Sequence, residues 1–411
     1  MSGIPEKFRV LQVHNRHAPG WGGEETVVAL EKRLLEERGH IVEEFKVSNA
    51  PLKNAHPIRQ ILAAPGFLWS HSFYTTLRRR IAEFEPDVVH IHNTFPQLSP
   101  SVFWAAHWAG VPVVHTLHNL RNVCANALLL RDGARCEECV GRSGRSALRH
   151  RCYADSLSRT TVVVATNLLH RSLGTYSRAV DAFITLNDFN REIFRRGGLP
   201  DNKLLVKPNF VPASQLGNGP RKRQALFVGA IVPSKGVHLL LDAWNSAALT
   251  GFELLLIGDG PERKSLEREF AHLGSIAWCG LLERPQILER MAESRVLVFP
   301  SLAYENCPMV VLEALSVATP VICANHSSLA AMVQHQRQGL LFQTGDAHAL
   351  AASLREALEA DDPTWSRWSS AARQTHAERF SDAVNYQQLI SIYRNVMQSR
   401  LAREAEHVLL A

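Results

Sequence analysis

Short apolar runs with strand character alternate with helical patterns in both halves of this 411-residue chain, and no other feature limits its fold more tightly. In the first half, strands are expected at Phe8–Val13, Ile41–Val47, Val88–His92, Val111–Thr116 and Ala182–Leu186, with a helix from about Gly23 to Arg38. Between Pro208 and Pro220 the composition turns to Pro, Gly, Asn and Ser, as in a linker. The rhythm then restarts at Gln224–Gly229, Phe252–Gly258, Ile276–Gly280, Arg295–Pro300 and Pro320–Ala324, and three helical stretches close the chain. Strands separated by helices form parallel, doubly wound sheets, so the expected fold class is α/β with two Rossmann-like domains, 1–212 and 213–380. Open sheets of this kind bind ligands beyond the carboxyl ends of their strands, which places the expected site in a cleft faced by both domains.

Composition narrows the function classes. An apolar share of 46% with 20% charged residues is that of an ordinary soluble globular protein. No apolar stretch approaches the ~20 residues that span a bilayer, and the start lacks the apolar core of a signal peptide, so a cytoplasmic protein is expected. Residues 1–217 hold 27 Lys and Arg against 19 Asp and Glu, whereas residues 218–411 hold 18 against 20. The first half is therefore the one suited to anionic partners. No nucleic-acid motif accompanies the basic residues, so nucleic acid is not an expected partner. The clusters Arg78-Arg79-Arg80 and Arg142, Arg145, Arg149 and Arg151 suit the phosphates of a lipid-linked acceptor or peripheral contact with an anionic membrane. Beside the first cluster, Trp69, Phe73, Leu77 and Ile81 form an apolar stripe, which reads equally as a core-packed helix face or an interfacial one.

Two carboxylates stand eight positions apart in Glu305-Asn306-Cys307-Pro308-Met309-Val310-Val311-Leu312-Glu313, just after the expected strand Arg295–Pro300. Pro308 has the fixed φ and missing N–H that suit a first helical position. The N–H groups of Met309 and Val310 would then point into the preceding loop and receive a phosphate or diphosphate. Carboxylates beside such an anion are repelled unless hydrogen-bonded, and sugar hydroxyls are natural donors to an acceptor-only group. A nucleotide sugar carries hydroxyls on both sides of its diphosphate, in the hexose and in the ribose. Two surface glutamates on an amphipathic helix are the plain alternative.

This Glu-x7-Glu segment, together with Pro320-Val321-Ile322 and Gly339-Leu340-Leu341-Phe342, resembles the donor site of family 4 retaining glycosyltransferases, which have the GT-B fold. The resemblance covers nearly the whole chain. It implies that Glu305 orients the donor hexose, that Glu313 holds the ribose, and that Asn306, Cys307, Pro308, Met309 and Val310 line the diphosphate. It also implies a last helix, about 381–411, that packs back on the first domain. Phe227-Val228-Gly229-Ala230-Ile231-Val232-Pro233-Ser234-Lys235 matches the segment where an arginine and a lysine clamp the diphosphate. Gly229 and Lys235 fit, but Ala230 replaces the arginine. Gly20-Trp21-Gly22-Gly23 resembles the family's glycine loop, in which Gly22 and Gly23 would let backbone N–H groups approach the donor. His118 matches a family histidine near the reacting centre, there to bond the hexose or steady charge. Asn93 and Arg121 are assigned to the acceptor side.

Cys124, Cys136, Cys139 and Cys152 include one Cys-x-x-Cys with two further thiols nearby. The pattern is consistent with a structural zinc and equally with incidental burial. No Asp-x-Asp occurs, and no catalytic metal or other cofactor is expected. The expected activity is metal-independent, retaining transfer of a hexose from a UDP- or GDP-sugar to a glycan hydroxyl, on a lipid-linked precursor. Two alternatives remain open: a nucleotide-sugar 2-epimerase, and a weakly catalytic donor-binding subunit, for which Ala230 argues.

Overall fold

The computed structural model describes residues 4–16, 22–50 and 64–410. Gly20 and Trp21 of the glycine loop lie outside the described residues. The chain divides into two compact units: 1–129, 136–207 and 386–411 form one, and 130–135 with 208–385 form the other.

Among the described residues the strands are β1 (Arg9–Arg16), β2 (Ile41–Ser48), β3 (Val88–Asn93), β4 (Val113–Thr116), the hairpin arms β5 (Leu130–Arg131) and β6 (Ala134–Arg135), β7 (Ala182–Thr185) and β8 (Leu204–Val206). The second unit adds β9 (Lys222–Val228), β10 (Glu253–Ile257), β11 (Ile276–Gly280), β12 (Ser294–Phe299), β13 (Val321–Ala324) and β14 (Gly339–Phe342). The first sheet runs β2-β1-β3-β4-β7-β8 and the second β11-β10-β9-β12-β13-β14. Both are parallel throughout. Helices cover such sheets on both faces, which is why β3, β7 and β13 are buried at every position and read as unbroken apolar or histidine-bearing runs.

In each sheet the strand order reverses once, between β1 and β3 in the first and between β9 and β12 in the second. Loops leaving the two strands at such a point diverge to opposite faces and open a crevice at the carboxyl edge. The loops after β9 and β12 carry Lys235 and Glu305, while Gly22 follows β1 and Asn93 ends β3.

The final helix, Asp382–Leu410, completes the core of the first unit. Leu389, Ile390, Ile392, Tyr393 and Val396 pack with Phe8, Val10, Val88, Val114 and Ile184. The apolar stripe on the helix His71–Phe84 is also interior, with Leu77 and Ile81 buried, Trp69 stacked on His170 and Phe73 against Phe45. Its arginines are partly neutralised, Arg80 by Glu43 at 2.8 Å and Arg79 by Glu83. The stripe thus serves packing, and no membrane-facing surface follows from it. Among the described residues no helix is long and apolar enough to cross a membrane.

Candidate active site

At the switch point of the second unit, two loops are tied by their backbones. Leu302 N–H donates to the Ser234 carbonyl at 2.9 Å, and Gly236, at φ +70°, lies where a Cβ would come within 2.3 Å of the Pro300 oxygen. Only glycine fits that approach, and it sets Lys235 beside the loop after β12. The Lys235 Nζ donates to Glu305 Oε1 at 2.6 Å, and the Ser301 hydroxyl donates to the same oxygen at 2.6 Å. Glu305 Oε2 is thereby the oxygen left for a ligand. Ser301 belongs to no expected set; it follows the end of β12, where its hydroxyl oxygen also lies 3.2 Å from the Ser234 carbonyl oxygen.

The helix after this loop is Met309–Ser316, with Pro308 as its cap at φ −66° and ψ 120°. The proline therefore stands one position outside the helix, because its extended ψ turns its carbonyl into the first acceptor. Val311 N–H closes on that carbonyl at 3.1 Å, so the N–H groups of Met309 and Val310 precede the ladder and have no intrahelical acceptor. The Asn209 side-chain amide donates to the Cys307 carbonyl at 3.1 Å and fixes the turn in front of them.

Glu313 is buried in this helix and forms an ion pair with Arg284, whose Nε lies 2.9 Å from Oε1. Burial raises its pKa, and the Arg284 guanidinium opposes that shift. No motif singles out Arg284, although Pro285 and a Glu283–Gln286 capping box mark its helix start in the sequence. Gly229 lies at the exit of β9, its N–H donating to the Ile257 carbonyl at 3.0 Å, and Ala230 beside it is exposed.

The first unit holds the remaining candidates. Gly22 is the extended N-cap of the helix Gly23–Glu37, and a Cβ there would meet only open space. Two acidic residues follow it in the first turn, where an incoming diphosphate would be repelled. Arg16 pairs with Glu25 at 3.0 Å, and burial pushes the Glu24 carboxyl up to about 8 despite a hydrogen bond from Asn93, so Glu24 is neutral at pH 7. Asn93 is committed within the protein: its amide donates to the Asn15 carbonyl at 3.1 Å and its oxygen accepts from Phe95 N–H at 3.0 Å.

His118 sits at the end of a buried histidine chain. His92 Nδ1 and His118 Nε2 are 3.0 Å apart, and His92 Nε2 faces Glu31 Oε2 at 3.6 Å. Glu31 in turn holds Lys207 Nζ at 2.6 Å, with both side chains about 1–2% exposed. Burial, reinforced by nearby histidines and Lys207, holds the pKa of His92 and His118 well below the usual value, so both rings are neutral. With the His92 proton directed to the carboxylate on Nε2, its Nδ1 accepts from His118 Nε2–H, and His118 Nδ1 becomes an acceptor. Glu31, His90 and His92 bring three ligand atoms within 4.8 Å of one another, but the Lys207 ammonium already supplies the cation there.

Of the two readings of the four cysteines, the structure gives no support to a structural zinc. Burial raises the Cys139 pKa, and the nearby Cys124 and Cys136 add to the rise. Among the described residues, however, no three of these sulfurs come within 4.8 Å of one another. Cys124 Sγ donates to Asn126 Oδ1 at 3.0 Å, while Cys139 and Cys152 pack against Ala147 and Val163 in an apolar cluster. Thiols that pack in this way behave as small apolar side chains, and no zinc site is derived from them.

Residues 21–215 match the family described as Glycosyltransferase Family 4, and residues 213–375 match Glycosyl transferases group 1. A D-inositol 3-phosphate glycosyltransferase of Thermobispora bispora is 29% identical over 414 residues, covering 92% of this chain and 90% of that protein. Among solved structures, a glycosyltransferase from Rickettsia africae superposes with a TM-score of 0.67 at 15% identity, covering 96% of this chain and 99% of its own. Anabaena Alr3699/HepE, solved in complex with UDP, gives 0.63 at 19% identity, covering 93% and 98%. With both of its units matched in this way, the chain is a family 4 glycosyltransferase with the GT-B fold.

Proposed function

We propose that the protein transfers a hexose from a nucleotide diphosphate sugar, linked to UDP or GDP, to a hydroxyl of a lipid-linked glycan, with retention at the anomeric carbon. The observation that carries this reading is the Lys235–Glu305–Ser301 arrangement at the switch point, which fixes a carboxylate by one oxygen and leaves the other for hexose hydroxyls. The binding of UDP by HepE, a relative in fold, supports a nucleotide donor. The exposed arginines Arg142, Arg145, Arg149 and Arg151 support an acceptor carried on an anionic lipid.

In the proposed reaction the C1–O bond breaks, placing positive charge on the ring and negative charge on the departing diphosphate. Lys235 Nζ and the N–H groups of Met309 and Val310 stabilise the diphosphate. Glu305 Oε2 orients the hexose and Glu313 holds the ribose with Arg284 beside it, while a hexose contact of His118 rests on the family resemblance alone. The acceptor hydroxyl attacks the same face, and its proton passes to the departing phosphate oxygen. Turnover without a metal ion belongs to the proposal, since Lys235 and the helix N–H groups would take up the charge of the diphosphate.

Initial rates with UDP- and GDP-sugars test it. Glu305→Ala should lower kcat by about two orders of magnitude or more, whereas Glu313→Ala should chiefly raise the donor KM. Wild-type rates in both variants would reject the site. Loss of activity on chelation, with the fold intact, would reject metal independence.

A further inference from the structure

We infer that the polar pocket of the first unit is built for an anionic acceptor, whose carboxylate or phosphate docks on the guanidinium of Arg121. The inference rests on the transferase reading above and specifies the acceptor class. The pocket, open to solvent, lies at the carboxyl ends of β3 and β4 and is lined in part by Asn119, Asn122, Asn167, His118 and Arg121. Side-chain amides both donate and accept, which suits a polyol; the guanidinium suits something more.

Arg121 is held as a rigid fork. Its N–H donates to Asn119 Oδ1 at 3.1 Å, and its carbonyl accepts from the Asn167 amide at 2.8 Å. Its Nη1 donates to the Ala125 carbonyl at 3.0 Å. The guanidinium carbon lies 4.2 Å from the ring centre of Phe95 and 5.0 Å from that of Tyr153, so the plane of the group is fixed by aromatic contact. One arm is thus anchored and the orientation set, while Nε and Nη2 have no hydrogen-bond partner among the described residues. Such a pre-oriented pair of donors matches the geometry of a carboxylate or phosphate.

The charge of this fork is also unbalanced. No carboxylate forms an ion pair with it among the described residues, and the groups that act on it are the Tyr153 phenol, the Cys124 thiol and the Glu24 carboxyl. Burial pushes Glu24 up to about 8, so at pH 7 that neighbour is neutral as well. A largely buried cation without a counter-ion is costly to keep, and an incoming anion removes the cost.

The test measures binding of glucuronic acid, glucose 6-phosphate and neutral glucose to the full chain, by ligand-observed NMR titration, alongside UDP. The wild type should bind at least one anionic probe about tenfold more tightly than glucose. The two anions distinguish a carboxylate from a phosphate. Arg121→Gln should lose the preference while UDP binding stays unchanged, and Arg121→Lys, which keeps charge without the fork, should retain only part of it. Equal or absent binding of all three probes, or a preference that survives Arg121→Gln, overturns the inference. Failure of the transferase reading would appear separately, as loss of UDP binding and turnover in the wild type.

Discussion

Glu24 and Glu305 both follow a strand that borders a reversal in sheet order, yet their surroundings give them different work. Glu305 is gripped by an ammonium and a hydroxyl on one oxygen, as a positioned acceptor needs. Glu24 is enclosed, and burial pushes its pKa up to about 8. Its folded pKa exceeds the unfolded value of about 4.5, so the fold binds the proton more tightly than the unfolded chain does. Stability from this residue is therefore whole below pH 4.5 and is lost as pH rises through 8. Glu24→Gln, which keeps the shape and removes the titration, should raise Tm at pH 8 and leave it unchanged at pH 4; equal melting curves at both would refute the assignment. Lys235 and Glu305 are legible in the sequence because each follows a strand end in a distinctive local pattern. Arg284, Ser301 and the histidine chain are not, because their roles come from partners distant in sequence. Glu31 and Lys207, for example, stand 176 positions apart.

At the scale of elements, the alternation of strands and helices reads out well because parallel strands buried on both faces leave continuous apolar runs. The hairpin β5–β6 does not, since two-residue arms carry no periodicity. The Met309–Ser316 helix differs from the reading by one residue, as ψ rather than φ decides whether a proline is inside. The strand exits of the second sheet are crowded: a Cβ on Gly258 would sit 1.9 Å from the Gly229 oxygen, and Gly258 N–H donates to the Gly280 carbonyl at 2.8 Å. Gly258→Ala must push β9 and β10 apart at the end that bears Gly229. A loss of about 1–3 kcal/mol is expected from overpacking, read as a lower urea midpoint, together with weaker UDP binding. An unchanged midpoint would show that the exit is more yielding than this contact implies.

For the whole molecule, the decisive contact is the return of Asp382–Leu410 to the first unit. Sequence order alone conceals it, since the helix follows the second unit and carries no label of its destination; here the resemblance to a family implies what periodicity cannot. Leu389, Ile390, Ile392, Tyr393 and Val396 are buried there, and at roughly 2 kcal/mol each their removal rivals the ~5–15 kcal/mol that holds a domain folded. A chain ending at Asn385 should keep a folded second unit, visible as UDP binding and protected amides in β9–β14, while the first sheet becomes exchange-labile. Protection retained in β1 and β3 would refute this dependence. During synthesis the opening sheet therefore leaves the ribosome long before its closing helix has been translated. Nascent chains must carry an unfinished apolar face throughout elongation of the intervening unit, so yield in the cell should track chaperone supply more than codon-level speed through the first half.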